Sequence, residues 1–340
     1  MPASSDAKTG GAAVRRTVVV TGAAGFLGSH VVELMSDAGD IDVIATDVVQ
    51  SERTEALASL PGVRFQAIDL RDTSAVAEIL ARCDSVVHLA AVRTKAAVAR
   101  PREAYDINVG ASYDLMSLAT AHSVRRFIFG SSQSVYGKFA DPHVSPFREE
   151  EAAVRAGLSM YAASKLAGEA FLAAFADAGG LEYLSLRFGG LYGPRVHIDS
   201  NGGLLLEALQ ALDGGQRAAI PWARDSVHTL TYVKDAATAV LRALDAHQTC
   251  MAVNVVGEPV SAEMMYTTLA KLAGKDTSEL DWRNQRTRYQ LVSSERLRTV
   301  LGLEQQTSLE DGLSELIGWH RRAATAAAPQ ATWDAGGRPD

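Results

Sequence analysis

The sequence contains few cysteines, few aromatic residues and no long hydrophobic run. Only Cys83 and Cys250 occur in 340 residues, which excludes a disulfide framework, and neither cysteine has a metal-ligand spacing. No apolar run approaches the roughly 18 residues of a membrane span, and residues 1–13 lack the order of a secretory signal. We therefore expect a cytoplasmic protein with no metal site and no membrane segment.

An excess of basic charge is also absent. The 33 Lys and Arg residues stand against 40 Asp and Glu residues, for a formal net charge of −7. This balance argues against a broad nucleic-acid surface and leaves room only for a local basic pocket. Hydrophobic residues make up 47% and charged residues 21%, which excludes a disordered chain and predicts a large core.

Short β-rich runs alternate with helical patterns through the first half of the chain. The predicted strands are 16–21, 43–47, 63–68, 85–89, 126–131 and 182–188. The predicted helices are 26–37, 74–82, 102–122 and 160–177. Because the strands are apolar on both faces and alternate with helices, they predict a doubly wound α/β fold with a parallel sheet.

The alternation weakens after residue 188. We expect residues 14–188 to form the doubly wound domain and residues 189–321 to form a smaller C-terminal α/β region, some of whose elements can return to the sheet. Small and polar residues predict disordered tails at 1–13 and 322–340.

A glycine-rich turn joins the first predicted strand to the first helix. It reads TGAAGFLG, with Gly22, Gly25 and Gly28 in a G-x-x-G-x-x-G spacing and Phe26 and Leu27 at the start of the helix. Glycine allows a tight turn and close approach of the backbone to a pyrophosphate, while the helix N-terminus supplies N–H groups and partial positive charge. The context predicts a dinucleotide-binding turn.

Acidic residues end the second and third predicted strands. Asp47 is placed to accept hydrogen bonds from the ribose hydroxyls, which favours NAD over NADP, and capping of the next turn is the alternative. Arg53 leaves NADP open, because a nearby arginine can serve a 2′-phosphate. Asp69 and Leu70 are candidates for the adenine edge, with a helix N-cap as the alternative.

A tyrosine and a lysine lie four residues apart on a predicted helix. Tyr161 and Lys165 therefore share a face. A phenol has a pKa of about 10, and a neighbouring cation lowers that pKa, so the pair suits removal of a proton from an alcohol whose carbon loses hydride. Upstream, a serine-rich segment follows the fifth strand, where a hydroxyl can hold a substrate oxygen.

These motifs together resemble the extended short-chain dehydrogenase/reductase superfamily, specifically its NAD-dependent epimerase/dehydratase branch. The match runs in order from about residue 16 to residue 320. It rests on Gly22/Gly25/Gly28, Asp47, His88-Leu89-Ala90-Ala91, Asn108, Ser131-Ser132, Val135-Tyr136-Gly137, Tyr161 with Lys165, and Arg187 with Tyr192-Gly193-Pro194.

The resemblance implies a Rossmann domain that holds NAD and a C-terminal region that receives a nucleotide-linked sugar. It places Ser132 at the family's catalytic hydroxyl position, Tyr161 at the general acid/base and Lys165 at its partner, which also holds the nicotinamide ribose. The loop that passes the cofactor corresponds to Leu89, Ala90 and Ala91. The resemblance also implies a homodimer formed through helices 102–122 and 160–177.

The sequence departs from the family pattern at the substrate side. Gln133 and Ser134 stand where similar dehydratases carry Asp-Glu, which argues against a 4,6-dehydratase because neither side chain is an acid or base near neutral pH. Gly190 replaces a common asparagine, and His228 replaces an arginine that meets a phosphate. A neutral histidine does not substitute for a charged, bidentate guanidinium.

Other positively charged residues could partly replace the phosphate-binding arginine that is missing at position 228. Arg286 lies about where the family places another phosphate-directed arginine, and Arg93 follows the fourth strand near the cleft. Each can equally be a surface charge.

We expect NAD-dependent epimerisation of a sugar, nucleotide-linked by the resemblance, with Tyr161 as acid/base. A net dehydrogenase or ketoreductase of a sugar, sugar acid or other secondary alcohol is the alternative, because it uses the same residues. A non-catalytic dinucleotide-binding regulator is a third possibility, which the retained Tyr161 and Lys165 disfavour.

Overall fold

The computed structural model describes residues 15–137, 146–154, 157–200, 202–282, 287–304 and 306–327. Twelve strands occur in these ranges. They are β1 (Arg16–Thr21), β2 (Ile41–Asp47), β3 (Val63–Ala67), β4 (Ser85–His88), β5 (Arg126–Ser132), β6 (Glu182–Phe188), β7 (Gly190–Tyr192), β8 (Ala218–Ala219), β9 (Val227–Tyr232), β10 (Met251–Val255), β11 (Pro259–Ser261) and β12 (Leu280–Asp281).

Seven of these strands form one parallel sheet in the order β10-β6-β5-β4-β1-β2-β3. The predicted Rossmann-type doubly wound fold is thus confirmed. Two small sheets, β11-β9-β7 and β12-β8, are formed by the C-terminal half. All carboxyl ends of the main sheet lie at one edge, which is where open α/β sheets bind ligands.

The α-helices of the described ranges are α1 (Phe26–Ala38), α2 (Glu52–Ala58), α3 (Thr73–Leu80), α4 (Thr94–Ala99), α5 (Pro101–Tyr105), α6 (Ser112–Ala121), α7 (Met160–Gly179), α8 (Gly203–Asp213), α9 (Val233–Leu244), α10 (Ala262–Leu272), α11 (Glu295–Thr299) and α12 (Leu309–Ala327). Helices α1 and α9 pack together on one face of the main sheet, α6 and α7 pack together on the other, and α8, α10 and α12 pack on one another in the C-terminal half. Among the described ranges, no helix is long and apolar enough to cross a membrane.

The core is divided by the main sheet into two layers. Along β1, Val18 and Val20 pack with the cluster on one side, and Val19 packs with the cluster on the other. This alternation follows from the two-residue period of a strand. It explains why the strands are apolar on both faces, as a parallel sheet between helix layers requires.

The predicted helix over 102–122 is interrupted. A π-helical segment, Asp106–Ala111, separates α5 from α6. Within the wider turn, the Asn108 side chain accepts a hydrogen bond from Val92 N at 2.7 Å and donates one to Val92 O at 2.9 Å. The interruption therefore ties the helix to the loop after β4.

The last helix extends further than the sequence pattern predicts. Residues 322–327, which we expect to be disordered, continue α12, because their alanines have high helix propensity. The other predicted tail residues, 1–13 and 328–340, lie outside the described residues. Upstream, β10 pairs with β6 at the edge of the main sheet, and α9 packs on α1.

Candidate active site

The glycine-rich turn is packed tightly against the loop after β4. Gly22 has φ +68°, and a Cβ at this position would lie 2.7 Å from Ala90 N. A Cβ on Gly28 would lie 2.1 Å from Gly22 O. Gly25 precedes α1 and donates its N–H to Gly22 O at 3.0 Å. The turn therefore requires glycine and keeps the N-terminus of α1 close to the sheet.

Asp47 lies at the end of β2 beside this turn. Its carboxylate accepts hydrogen bonds from Ala24 N at 3.0 Å and Val49 N at 3.2 Å. The Arg53 guanidinium donates to Ala24 O at 3.0 Å. Asp47, the predicted ribose-binding acid, and Arg53, the arginine that could serve a 2′-phosphate of NADP, thus both contact Ala24 in the turn.

The remaining predicted cofactor residues surround the turn. Leu27 is buried in the core, and Phe26 is half-buried. The half-buried loop Leu89–Ala91 follows β4, and its first two N–H groups donate to the Thr21 backbone and side chain at 3.2 and 3.3 Å. This loop therefore runs along the glycine-rich turn, as the resemblance implies.

Asp69 and Leu70 follow β3 and differ in exposure. Asp69 is half-exposed and ion-paired with Arg71, whose hydrogen bonds lower the pKa of the Asp69 carboxyl. Leu70 is buried in the core. The N-cap of α3 is Asp72, whose carboxylate accepts from Ala75 N at 3.1 Å, so the alternative role of Asp69 as a cap is wrong.

Ser132, Tyr161 and Lys165 are brought together at the carboxyl end of β5. Ser132 is the last residue of β5, and Tyr161 lies in the first turn of α7, where its phenol shares a hydrogen bond with the Ser132 side chain. The Lys165 ammonium is buried, 5.7 Å from the centre of the Tyr161 ring and 4.8 Å from that of Phe129. The group faces the edge where the glycine-rich turn also lies.

The pKa of Tyr161 is shifted upward, whereas the sequence analysis expected a downward shift. Burial raises the pKa of Tyr161 to about 12, against the opposing effects of the Arg93 charge and the Ser132 hydrogen bond. We expected Lys165 to lower this pKa, but burial of the phenol dominates, and Arg93 is the cation that acts on it. Burial also lowers the pKa of Lys165 to about 8, and the nearby Glu169 opposes that shift.

Gln133 and Ser134 form a 3₁₀ turn directly after Ser132. The buried Gln133 side chain accepts a hydrogen bond from Thr229 Oγ1 at 3.0 Å, which ties the turn to β9. Ser134 N donates to Ser132 Oγ at 3.2 Å. Within the ranges that the structure describes, the buried Ser134 Oγ has no hydrogen-bond partner.

The other predicted substrate residues are distributed along the C-terminal half. Gly190 on β7 and His228 on β9 line one cavity of about 20 Å³. Burial and the Arg288 charge lower the pKa of His228 to about 4. Arg93, the N-cap of α4, is exposed and acts electrostatically on Tyr161. Arg286 lies outside the described residues.

The sequence analysis missed a buried polar network beneath the catalytic group. Glu169 accepts hydrogen bonds from Arg187 at 2.9 and 2.6 Å and from Ser131 Oγ at 2.5 Å. Arg187 also donates to the Tyr136 hydroxyl at 2.9 Å, which in turn donates to Asn254 Oδ1 at 2.6 Å. The sequence offered one indication of this network, because Glu169 lies four residues, or one helical turn, after Lys165.

Metal ligands do not cluster in this part of the molecule. Across the described ranges, no group of three or more His, Cys, Asp or Glu side chains is arranged to hold a metal ion.

The chain matches a known protein family over more than half of its length. The sequence profile of the NAD dependent epimerase/dehydratase family matches residues 18–256, which is more than half of the chain and includes the glycine-rich turn, Ser132, Tyr161 and Lys165. The chain belongs to this family. The resemblance drawn from the motifs is thus confirmed.

Relatives within the NAD dependent epimerase/dehydratase family include both epimerases and reductases. The dTDP-4-dehydro-6-deoxy-D-allose reductase of a Streptomyces species is 30% identical over 321 residues, covering 90% of this chain and 96% of that protein. UDP-glucose 4-epimerase 2 of Oryza sativa subsp. japonica is 36% identical over 145 residues, covering only 40% of this chain and 35% of that protein.

A solved structure in the family extends the comparison. The UDP-glucose 4-epimerase of Thermus thermophilus, determined in complex with NAD, has a TM-score of 0.78 and 27% identity, and the comparison covers 90% of this chain and 99% of that one. The family's cofactor also fits the residues of this chain, because a Cβ at Gly22 or Gly28 would collide with backbone and because Asp47 ends β2 beside the turn.

Proposed function

We propose that this protein is an NAD-dependent epimerase that acts on a nucleotide-linked sugar through a transient keto sugar. The observation that carries the proposal is the meeting of Ser132, Tyr161 and Lys165 at the sheet edge that also bears the glycine-rich turn. The similarity to epimerases within the family supports it.

The cofactor-binding residues follow from the same geometry. Gly22, Gly25 and Gly28 would let the NAD pyrophosphate approach the N-terminus of α1, and Asp47 would hold the ribose hydroxyls. Phe26, Leu27, Asp69, Leu70, Leu89, Ala90 and Ala91 complete the proposed surroundings of the cofactor. When bound, NAD supplies the chemistry of accepting a hydride and returning it.

Tyr161 would move the proton of the reacting hydroxyl. As the hydroxyl carbon loses hydride, the phenolate takes the hydroxyl proton, and the Ser132 hydroxyl stabilises the developing carbonyl oxygen. After the keto sugar turns its other face, the phenol returns the proton as the carbonyl is reduced. Because burial raises the pKa of Tyr161 to about 12, Arg93 and Lys165 would be needed to favour the phenolate during this exchange.

Tyr161→Phe tests this assignment, because it removes the transferable proton and retains the ring. We expect conversion of UDP-sugars, followed by NMR without added cofactor, to be abolished while NAD binding stays nearly unchanged. Tyr113→Phe is the matched control, because Tyr113 is half-exposed on α6 and contacts Phe171 and Phe175 through its ring. Normal turnover by the Tyr161 variant would reject the mechanism.

A net ketoreductase is the second candidate function. The reductase from Streptomyces favours it, because the similarity extends over 90% of this chain. The same residues would serve, and the oxidised and reduced sugars would leave as separate species. Stoichiometric NADH formation from a candidate sugar would favour this function, whereas conversion between isomers without net NADH would favour epimerisation.

We also propose a cytoplasmic homodimer assembled through the α5–α6 and α7 surface. Support comes from exposed large side chains there, including Tyr105 on α5 at 50% exposure, Tyr113 on α6 at 45% and Met160 on α7 at 58%. Burying such side chains stabilises protein interfaces. Sedimentation that gives a monomer at micromolar concentration would contradict the proposed dimer.

A further inference from the structure

Helix α7 carries Tyr161, Lys165 and Glu169 at successive intervals of four residues. Residues at this spacing lie on one face of a helix, with about 5–6 Å between neighbouring Cβ atoms. This face is turned toward the main sheet, because Lys165 is 3% exposed and the Glu169 side chain is 12% exposed. Tyr161 and Lys165 take part in the mechanism above, which leaves the buried Glu169 carboxylate without a role.

Strand β5 presents two side chains to this face of the helix. Phe129 and Ser131 lie two residues apart on β5 and therefore point to the same side of the sheet. The Lys165 ammonium lies 4.8 Å from the centre of the Phe129 ring. The Glu169 carboxylate accepts a hydrogen bond from Ser131 Oγ at 2.5 Å. Gly168 lies between the two helical residues, and a Cβ there would be 2.5 Å from the Phe129 ring, so helix and strand are in tight contact at this turn.

Two neighbouring strands hold Glu169 at the same time. Arg187 on β6 pairs in register with Ser131 on β5. Arg187 donates to both carboxylate oxygens of Glu169, from Nε at 2.9 Å and from Nη2 at 2.6 Å. Ser131 immediately precedes Ser132, the proposed catalytic hydroxyl. The hydrogen bonds of Glu169 therefore fix the Lys165 turn of α7 relative to Ser132.

Glu169 also supplies the negative charge that opposes the effect of burial on Lys165. Burial lowers the pKa of the Lys165 ammonium to about 8, and the Glu169 charge raises that pKa. An opposite charge within about 4–6 Å shifts a pKa by about 1–3 units. Without Glu169, the ammonium would lose its proton at a lower pH, and the positive charge beside the Tyr161 phenol would be lost with it.

The other titratable and charged groups around these residues do not supply that negative charge. From the sheet side they are His88 on β4, Arg93 after β4, and Tyr183 and Arg187 on β6. Burial lowers the pKa of His88 to about 3, burial raises the pKa of Tyr183, and the two arginines are cations, so none of the four is an anion near neutral pH. Helices α4, α5 and α6, which also pack on α7, contribute charges that are paired or exposed: Lys95 with Asp199, Arg100 with Glu103, Arg102 with Asp106, and Asp114.

We propose that Glu169 is a positioning residue for the catalytic group: it anchors the Lys165 turn of α7 to the carboxyl ends of β5 and β6, and it keeps the Lys165 ammonium charged beside Tyr161. The inference rests on the proposed function and deepens it, because a charged lysine would favour the phenolate that takes the hydroxyl proton. Arg187 contributes from β6 by holding both oxygens of the carboxylate.

Titration of Lys165 tests the proposal without any need for turnover. In NAD-saturated protein with lysine isotope-labelled at the ε carbon, the Lys165 NMR signal is the one that disappears in Lys165→Arg. Its chemical shift reports the charge of the ammonium as the pH changes. We expect the midpoint of this titration to be lower by about one pH unit or more in Glu169→Gln than in the wild type. Glu169→Asp, which retains the charge, should have a midpoint closer to that of the wild type.

Tyr136→Phe is the matched control for a loss of stability in the same network. It removes the hydroxyl that accepts from Arg187 and donates to Asn254, and it leaves Glu169 in place. It should lower the urea midpoint without moving the Lys165 titration. If Glu169→Gln does not fold, Glu169→Gln combined with Arg187→Met takes its place, because replacing both members of a buried pair is often neutral for stability. The titration should then move in the same direction, since Glu169 is the charge that acts on Lys165.

The pH profile of sugar conversion gives a second readout. Conversion requires the charged Lys165, so kcat/KM should fall as the pH rises through the Lys165 titration. In Glu169→Gln, this basic limb should move to lower pH by the same amount as the NMR midpoint, whereas in Tyr136→Phe it should not move. The proposal is overturned if the Lys165 midpoint is the same in Glu169→Gln and in the wild type, or if Tyr136→Phe moves it equally.

The two readouts separate this proposal from the proposed function. A Lys165 midpoint that depends on Glu169, in a protein that converts no sugar, would retain the role of Glu169 at Lys165 and reject the epimerase. Sugar conversion in Glu169→Gln with an unchanged Lys165 midpoint and an unchanged basic limb would retain the epimerase and reject the role of Glu169.

Discussion

Replacing Glu169 by Gln should destabilise the protein strongly, because Arg187 would lose its charged partner in the interior. The two side chains are 12% and 6% exposed and are joined by two hydrogen bonds of 2.9 and 2.6 Å. The substitution retains the size of the side chain and removes its charge. Loss of one partner of a buried pair costs about 3–5 kcal/mol.

The lower end of that range applies here. Arg187 would still donate to the Tyr136 hydroxyl at 2.9 Å and to Glu149 O at 2.6 Å. We therefore expect a loss of about 3 kcal/mol in the free energy of unfolding. With a urea m-value of about 3 kcal/mol/M, the midpoint of denaturation would fall by about 1 M.

Glu182→Gln is the matched control on a neighbouring element. Glu182 is 43% exposed, and its partner Arg126 also donates to the backbone carbonyls of Ala243, Leu244 and Ala246. A partly exposed pair contributes about 0–1 kcal/mol, so the midpoint should fall by at most about 0.3 M. Urea denaturation followed by tryptophan fluorescence and circular dichroism measures both variants. Equal shifts for the two would refute the importance of burial for the Glu169–Arg187 pair.

Two further predictions concern the glycine-rich turn and acid stability. Gly28→Ala should abolish NAD binding or folding, because the new Cβ would lie 2.1 Å from Gly22 O. Gly110→Ala is the control and should be tolerated, because the closest contact of its new Cβ would be 4.0 Å away. Circular dichroism and quenching of fluorescence by NAD distinguish the two variants, and a Gly28→Ala variant that binds NAD normally would contradict the turn geometry. Burial, aided by Arg195, lowers the pKa of His30 to about 4, and burial lowers the pKa of His88 to about 3. Below the unfolded pKa of about 6.5, the unfolded histidines bind protons that the folded ones do not, so stability should fall as the pH falls from about 6.5 to about 4, by up to about 1.4 kcal/mol per pH unit and histidine. Urea midpoints that do not change between pH 7 and pH 4.5 would show that these histidines are not buried as described.

Local sequence patterns were sufficient to predict most strands of the main sheet. The apolar runs 16–21 and 182–188 predict β1 and β6 with the bounds that the structure shows. The glycine spacing and the Tyr161–Lys165 spacing are also local, so the cofactor turn and the face shared by those two side chains could be found without coordinates. Burial of a phenol by the assembled fold is not local, and the raised pKa of Tyr161 was therefore missed.

Contacts between distant segments could not be predicted from the sequence. The interruption of the 102–122 helix depends on Asn108 meeting Val92 across a loop. The pairing of Val227 with Tyr289 joins positions about 60 residues apart, and nothing near Arg288 in the sequence marks it as a partner of β9. The resemblance directed attention to Arg286, whereas the backbone pairing that places Arg288 beside β9 is visible only in three dimensions.

The return of β10 to the main sheet determines how this chain can be divided. β10 covers the outer hydrogen-bonding edge of β6, and α9 packs on α1. A fragment that ended at residue 188 would expose that edge and an apolar helix face, and open edges of this kind promote aggregation. We therefore expect that the first half of the chain does not fold as an independent nucleotide-binding module, and that exchanging it between relatives would require the transfer of β10 and α9 with it.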